Sequence, residues 1–326
     1  MAKNIILDAL IPREDFEAND KEAGTTGNIT NIGVRDLELN SFFFKALRKP
    51  DFQRETNVWN TKQIVSLIDS FISGDLIPAI ILWKNPASHT FVIDGVHRLS
   101  ALTAWINDDY GDGEISKKFY EGIIPEEQVN SAERTRKEVR KKIGRFSDYK
   151  LALSNPEKVD VHIVEKAKSL GALAIELQWI EGSTEKAETS FFKINQQVAY
   201  INKTELKLLK FRHKPNGIAT RAILRSGKGQ KYCSSYQESI QKEIQEMSKE
   251  INNIMFQPSL KNSIKTLHLP PRGKNFSSQN QSWILELVNK ANQISSKSEL
   301  FDDLDGAATL ACLKNCLKSV KRMNIH

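Results

Sequence analysis

The chain has 326 residues, with 47 Lys plus Arg against 40 Asp plus Glu, a net charge of +7, and 40% hydrophobic and 27% charged residues. That length allows one large domain or two ordinary ones, and the composition excludes collagen-like, disulfide-framework and low-complexity chains. No apolar run approaches the roughly 18 residues of a membrane span, and MAKNIILDALIPRED has too short an apolar stretch for a signal peptide, so a cytoplasmic protein without membrane association is expected.

In chain order, residues 1–45 read as an N-terminal arm, net acidic, with a loosely packed Gly-rich stretch over 15–32, and firm structure is expected from about Phe52. Ile64, Leu67, Ile68, Phe71 and Ile72 recur at helical spacing, with Asn60 or Thr61 as N-cap and Gly74 as the stop. Two strands are expected at Ile77–Trp83 and Phe91–Ile93, the second ending at Asp94-Gly95. Leu99, Leu102 and Ile106 mark the buried side of the next helix, and residues 107–116 read as a polar loop. Residues 125–155 read as helical and basic, Ala172–Ile180 as a returning strand, and 184–196 and 203–212 as two helices. From about 216 the pattern is mostly helical, interrupted by HLPPRG at 268–273.

Cys312 and Cys316, four apart, share a helix face and read as small buried residues, because no further ligands lie nearby to make a metal site. Trp83 and Trp105 read as core packing. Within Arg134, Arg136, Lys137, Arg140, Lys141, Lys142 and Arg145 seven positive charges face one negative. Such a run suits a phosphate backbone or a solvated helix face.

The passage Phe91-Val-Ile-Asp94-Gly95-Val96-His97-Arg98 carries the chemistry: a strand, a sharp turn and a helix N-terminus. Asp94 can cap the helix amides and Gly95 permits close backbone approach. The amides, the positive end of the helix dipole and the Arg98 guanidinium favour an anion such as phosphate. His97 can add a hydrogen bond or move a proton near neutral pH. Asp108, Asp109, Asp112 and Glu114 fail as a calcium loop because Tyr110 stands at the third position and Phe119 at the twelfth; a magnesium contact from Asp108 or Asp112 beside a nucleotide remains open. A phosphate loop, His-Glu-x-x-His and Gly-x-Ser-x-Gly are absent from the sequence.

Residues 50–102, from PDFQRETNVWN through VIDGVHRLSAL, resemble the N-terminal domain of GmrSD-type modification-dependent restriction enzymes. That family carries a DGQQR signature preceded by an Arg and a Trp, matched by Arg54, Trp59 and Asp94–Arg98. Its second feature, Phe-x-x-Ile-Asn followed by Glu-Leu, is matched by Phe191–Asn195 and Glu205-Leu206. Val96-His97 in place of two Gln looks closer to the DGQHR variant of DndB-like proteins. The resemblance covers about residues 45–212.

It implies an α/β (α+β) fold of the ParB and sulfiredoxin type, a small mixed sheet with surrounding helices over 46–215, while the extension over 216–326 reads as mainly helical from its own pattern. Val96 replaces the cysteine of sulfiredoxin, so cysteine-sulfinic-acid reduction is excluded. The implied activity is ATP or GTP binding and hydrolysis with magnesium in a DNA restriction or modification system. Asp94, His97 and Arg98 would be catalytic, and Arg54, Trp59, Gly95, Val96, Asn195 and Glu205 would hold the nucleotide. Arg134, Arg136, Lys137, Arg140 and Lys141 would face DNA. The family's His-Asn-His nuclease domain has no match here, so a separate nuclease or modification subunit is the expected partner. A non-catalytic DNA-binding regulator is the alternative, with a ParB-like nuclease behind it.

Overall fold

A computed structural model describes residues 4–16, 28–53, 56, 59–122, 124–198, 203–227, 236–256, 278–294 and 305–323. The chain forms two compact units, Met1–Val198 and Ala199–His326. The fold class is mixed α/β, as the family resemblance implied.

The first unit opens with β1 (Arg13–Glu14), β2 (Asn31–Ile32), the short helix α1 (Phe42–Ala46) and β3 (Leu47–Pro50). Helix α2 (Thr61–Ser73) follows, then β4 (Ile80–Lys84), β5 (Thr90–Asp94) and α3 (Val96–Ile106). Helices α4 (Glu114–Phe119), α5 (Glu126–Lys142), α6 (Phe146–Ser154) and α7 (Val161–Leu170) lead to β6 (Ile175–Ile180) and α8 (Thr184–Val198). The six strands lie in the order β1-β3-β5-β4-β6-β2. β1, β3 and β5 run parallel, β4 is antiparallel to β5 but parallel to β6, and β2 is antiparallel to β6.

Helix α2 forms where the apolar stripe predicts it. The Asn60 side chain accepts from the N–H groups of Lys62 and Gln63, Gln63 bonds back to the Asn60 N–H, and Gly74 closes the helix at φ 75°. Burying Ile64, Val65, Ile68, Phe71 and Ile72 fastens it into the main core beside α3 and α5, each side chain worth roughly 1.5–3 kcal/mol. Ile80, Leu82, Val92, Ile175 and Leu177 face that helical layer. The opposite face carries an aromatic cluster. Phe16 lies 4.6 Å from Trp83 and 5.0 Å from Phe91 by ring centroids, and Phe52 lies 5.2 Å from Phe191 of α8. Strand alternation puts Leu82 and Val92 on one face and Trp83 and Phe91 on the other, so the sheet is buried on both sides.

Three expectations are corrected here. Firm structure does not begin at Phe52: Ile5, Leu7, Leu10 and Ile11 are in the main core, and both β1 and β2 pair into the sheet. The strand expected from Ile77 starts at Ile80. Helix α3 is buried on nearly every side rather than along one stripe, because small residues (Ser100, Ala101, Thr103, Ala104) fill the positions between the large ones.

The second unit is helical: α9 (Lys203–Lys210), α10 (Pro215–Leu224), α11 (Glu238–Phe256), α12 (Ser278–Ala291) and α13 (Gly306–Met323). Every residue of α10 is buried, and α11, α12 and α13 pack around it. Cys312 and Cys316 are buried on one face of α13, as their spacing predicted, and burial pushes both thiols up to about 12. The 268–273 link lies outside the described residues, and no described helix is long and apolar enough to cross a membrane.

Candidate anion-binding turn

β5, an interior strand, carries Asp94 at its C-terminal end, Gly95 turns the chain with φ 97°, and α3 starts at Val96. Gly95 is required there twice over. Its backbone is left-handed, and a Cβ would press against the Ile80 side chain and the Arg98 guanidinium. The missing Cβ lets the Arg98 guanidinium lie directly against the turn.

Asp94 does not cap the helix, contrary to the expectation from its position. Its Oδ2 accepts from Arg98 Nη2 at 2.5 Å, and no side chain caps the α3 N-terminus. The i, i+4 spacing explains the preference: a carboxylate facing a guanidinium one turn on gains a charge-assisted bond stronger than a cap. Arg98 Nη2 also reaches the Ala79 carbonyl at 3.4 Å. Arg98 Nε is buried and has no hydrogen-bond partner among the described residues. The Arg98 side chain is 16% exposed and that of Asp94 29%, so the pair is reachable from solvent.

His97 stacks on Trp59, with ring centroids 5.8 Å apart and planes 28° from parallel. Two sequence-predicted residues are thus brought together across 38 positions. The Val96 side chain is 5% exposed and belongs to the main core, which leaves its backbone amide as the group it offers at the turn.

The chain before Trp59 is held by a buried ionic cluster that sequence reasoning missed. Asp8 Oδ1 accepts from Arg13 Nη2 at 3.0 Å, Lys49 Nζ at 2.6 Å and the Thr56 N–H at 2.9 Å. Arg13 Nη1 bonds the Gln53 carbonyl at 2.6 Å. The amides of Ile5 and Leu7 bond the carbonyls of Trp59 and Thr56. Burial alone would raise the Asp8 pKa. The charges of Arg13 and Lys49, with the hydrogen bonds from Lys49 and Thr56, outweigh it and hold the carboxyl well below the usual carboxylate range. A signal for this existed: Asp8 sits alone between Ile5-Ile6-Leu7 and Ala9-Leu10-Ile11, and a carboxylate inside an apolar run needs a buried cation.

Arg54 lies outside the described residues; its neighbours Gln53 and Thr56 are the ones this cluster fixes. Phe52 stacks on Phe192 at 6.2 Å and meets Phe191 edge-on, so the segment before α2 and the Phe191–Asn195 motif meet in the aromatic cluster. Asn195 is on α8 and Glu205 on α9 of the second unit, and their side chains lie outside the described residues.

The acidic loop and the basic helix answer each other. Arg136 bonds Asp112 with both terminal nitrogens and Asp108 through Nε, and Arg140 bonds Asp108 at 2.9 Å. The same loop is anchored by Asp109, 1% exposed, which accepts from the Gly111, Gly113 and Ser116 amides and the Ser116 hydroxyl. The 107–116 stretch is therefore not a plain polar loop but a buried-carboxylate turn. Asp108 and Asp112 are engaged by arginines, and no group of three or more His, Cys, Asp or Glu suited to a metal occurs among the described residues. Arg136 is correspondingly corrected: its side chain is 16% exposed and braces the loop. Arg140 shares that role but is itself exposed, as are Arg134, Lys137 and Lys141.

A family described as GmrSD restriction endonuclease, N-terminal domain, matches residues 36–306. No curated protein and no solved structure matches the chain.

Proposed function

The chain belongs to the GmrSD restriction endonuclease N-terminal domain family, which makes it a restriction-system domain, and from that premise we propose that it binds and hydrolyses ATP or GTP at the Asp94–Arg98 turn. The observation that carries this reading is the uncapped α3 N-terminus beside a reachable Arg98 whose buried Nε has no partner among the described residues. A helix start leaves its first amides without intrahelical partners, and the dipole adds positive potential. With a guanidinium alongside, the turn suits the phosphates of a nucleotide.

In this reading Arg98 and the amides after Gly95 hold the phosphates, and His97 donates to them or moves a proton. Asp94 sets Arg98 and is the nearest carboxylate for a water. Trp59 offers a stacking face, and Arg54 and Asn195 are the further nucleotide contacts of this reading. Magnesium would supply charge neutralisation on the phosphates, and among the described residues Asp94 is the carboxylate of the turn that would face it. The fold we read as the ParB and sulfiredoxin kind. Arg134, Lys137 and Lys141 on the exposed face of α5 supply the DNA contacts, and strand cutting belongs to a separate nuclease subunit.

A second reading, a non-catalytic DNA-binding regulator, is favoured by one observation: Asp94 already occupies Arg98. Phosphate release from ATP and GTP with magnesium, with and without DNA, separates the two. Turnover by the wild type that Arg98→Ala abolishes supports the NTPase. DNA binding without turnover of either nucleotide overturns it and leaves the regulator.

A further inference from the structure

Beside the turn lies a groove of about 500 Å³ lined by Trp59, Lys62, Gln63, Ser66, Ser70 and Leu76, with Leu67, Ile77 and Pro78 completing its walls. One wall is the outer face of α2, where Trp59, Lys62 or Gln63, Ser66 and Ser70 succeed one another at helical spacing. The other is the extended segment entering β4, which holds Leu76 at 99% exposure. The groove joins the turn along both walls. Trp59 lines the groove while stacking on His97, and Ala79, next after Pro78, gives its carbonyl to Arg98.

A ligand lying across both parts needs a flat, largely apolar end and an anionic end. We infer that the groove takes the base and ribose of a nucleotide whose phosphates lie at the α3 N-terminus; this rests on the nucleotide reading above and extends it to residues outside the signature. Trp59 supplies the stacking face, as aromatic platforms do for bases in general. The hydroxyls of Ser66 and Ser70 and the carboxamide of Gln63 lie where polar edges of the ligand run. Gln63 Oε1 is committed to the Asn60 N–H, so its amide nitrogen is the group it offers, as a donor. Ser66 and Ser70 are small where a larger side chain would fill the groove, and the N-terminal segment bonded to the Trp59 carbonyl keeps the ring in place.

The test compares Ser66→Trp and Ser70→Phe with the wild type, each checked for an unchanged melting curve, in calorimetric titrations with ATP, GTP and inorganic tripolyphosphate in magnesium. Filling the groove is expected to weaken ATP and GTP by about tenfold or more while leaving tripolyphosphate binding unchanged. Arg98→Ala weakens all three. Nucleotide affinity unchanged in both filled variants, or an equal loss of tripolyphosphate, overturns the groove assignment while the phosphate reading stands. A wild-type chain that binds neither nucleotide nor tripolyphosphate overturns both readings together.

Discussion

Two carboxylate–cation arrangements lie on either side of Trp59, and they are built to opposite ends. Asp8 meets Arg13 and Lys49 with exposures of 9% or less on every side chain, and a backbone amide and carbonyls take up further bonds. Asp94 meets Arg98 alone, both partly exposed, with a buried guanidine nitrogen left over among the described residues. The first arrangement ties the N-terminal segment, β3 and the chain entering α2 together. The second closes a turn that a competing anion can enter. The difference teaches that an ion pair signals a site by what it leaves unsatisfied, not by its strength.

The comparison breaks or sharpens at four points. Asp8→Ala leaves two cations buried without their carboxylate and is expected to cost about 3–5 kcal/mol in urea unfolding. The Asp8 carboxyl lies lower in the folded than in the unfolded chain, so its stabilisation is complete above the unfolded value near about 4 and fades as pH falls below it. The stability gap between wild type and Asp8→Asn, followed from pH 6 downward, should therefore narrow below about pH 4.

Gly95→Ala comes next, at about 1–3 kcal/mol, from left-handed strain and the contacts of the new Cβ with Ile80 and Arg98. Nucleotide binding should fall with it. Arg98→Ala should cost less than about 1 kcal/mol while removing anion binding. A loss as large as that of Asp8→Ala would make the turn a structural feature and erase the contrast. The smallest stability change, within about 0.5 kcal/mol, is expected for Lys137→Ala with Lys141→Ala. Their effect should appear instead as a DNA-binding salt slope lowered by about 1 per lysine, whereas Arg136→Ala should chiefly loosen the 107–116 loop.

The legible parts of this chain were those written in local pattern. Asn60, the α2 stripe and Gly74 announced a helix with both ends, and Asp94-Gly95 marked the strand-to-helix turn. The buried cysteine face needed only four-residue spacing. What escaped was written in residues far apart. Arg13 and Glu14 pair with Lys49 and Pro50 to add a strand, but two residues carry too little alternation to be read as one. Helix α7 and the burial of Asp109 were missed because their partners, chiefly α6 and the Gly111–Ser116 amides, cannot be seen from polar spacing.

The sequence by itself determined the type of those elements with a clear apolar pattern, the glycine turn at 95 and a family-typical signature, because backbone sterics and apolar periodicity act within a few residues. Only the tertiary structure decided which charges are sites. Asp94 went to Arg98 instead of the helix amides, and Arg136 went to Asp108 and Asp112 instead of solvent. Asp8 turned an apparent arm into part of the core. A charged group's role is set by which partners reach it and how much water remains. Both follow from packing between distant segments, which local pattern records only where, as at Asp8, a charge interrupts an apolar run.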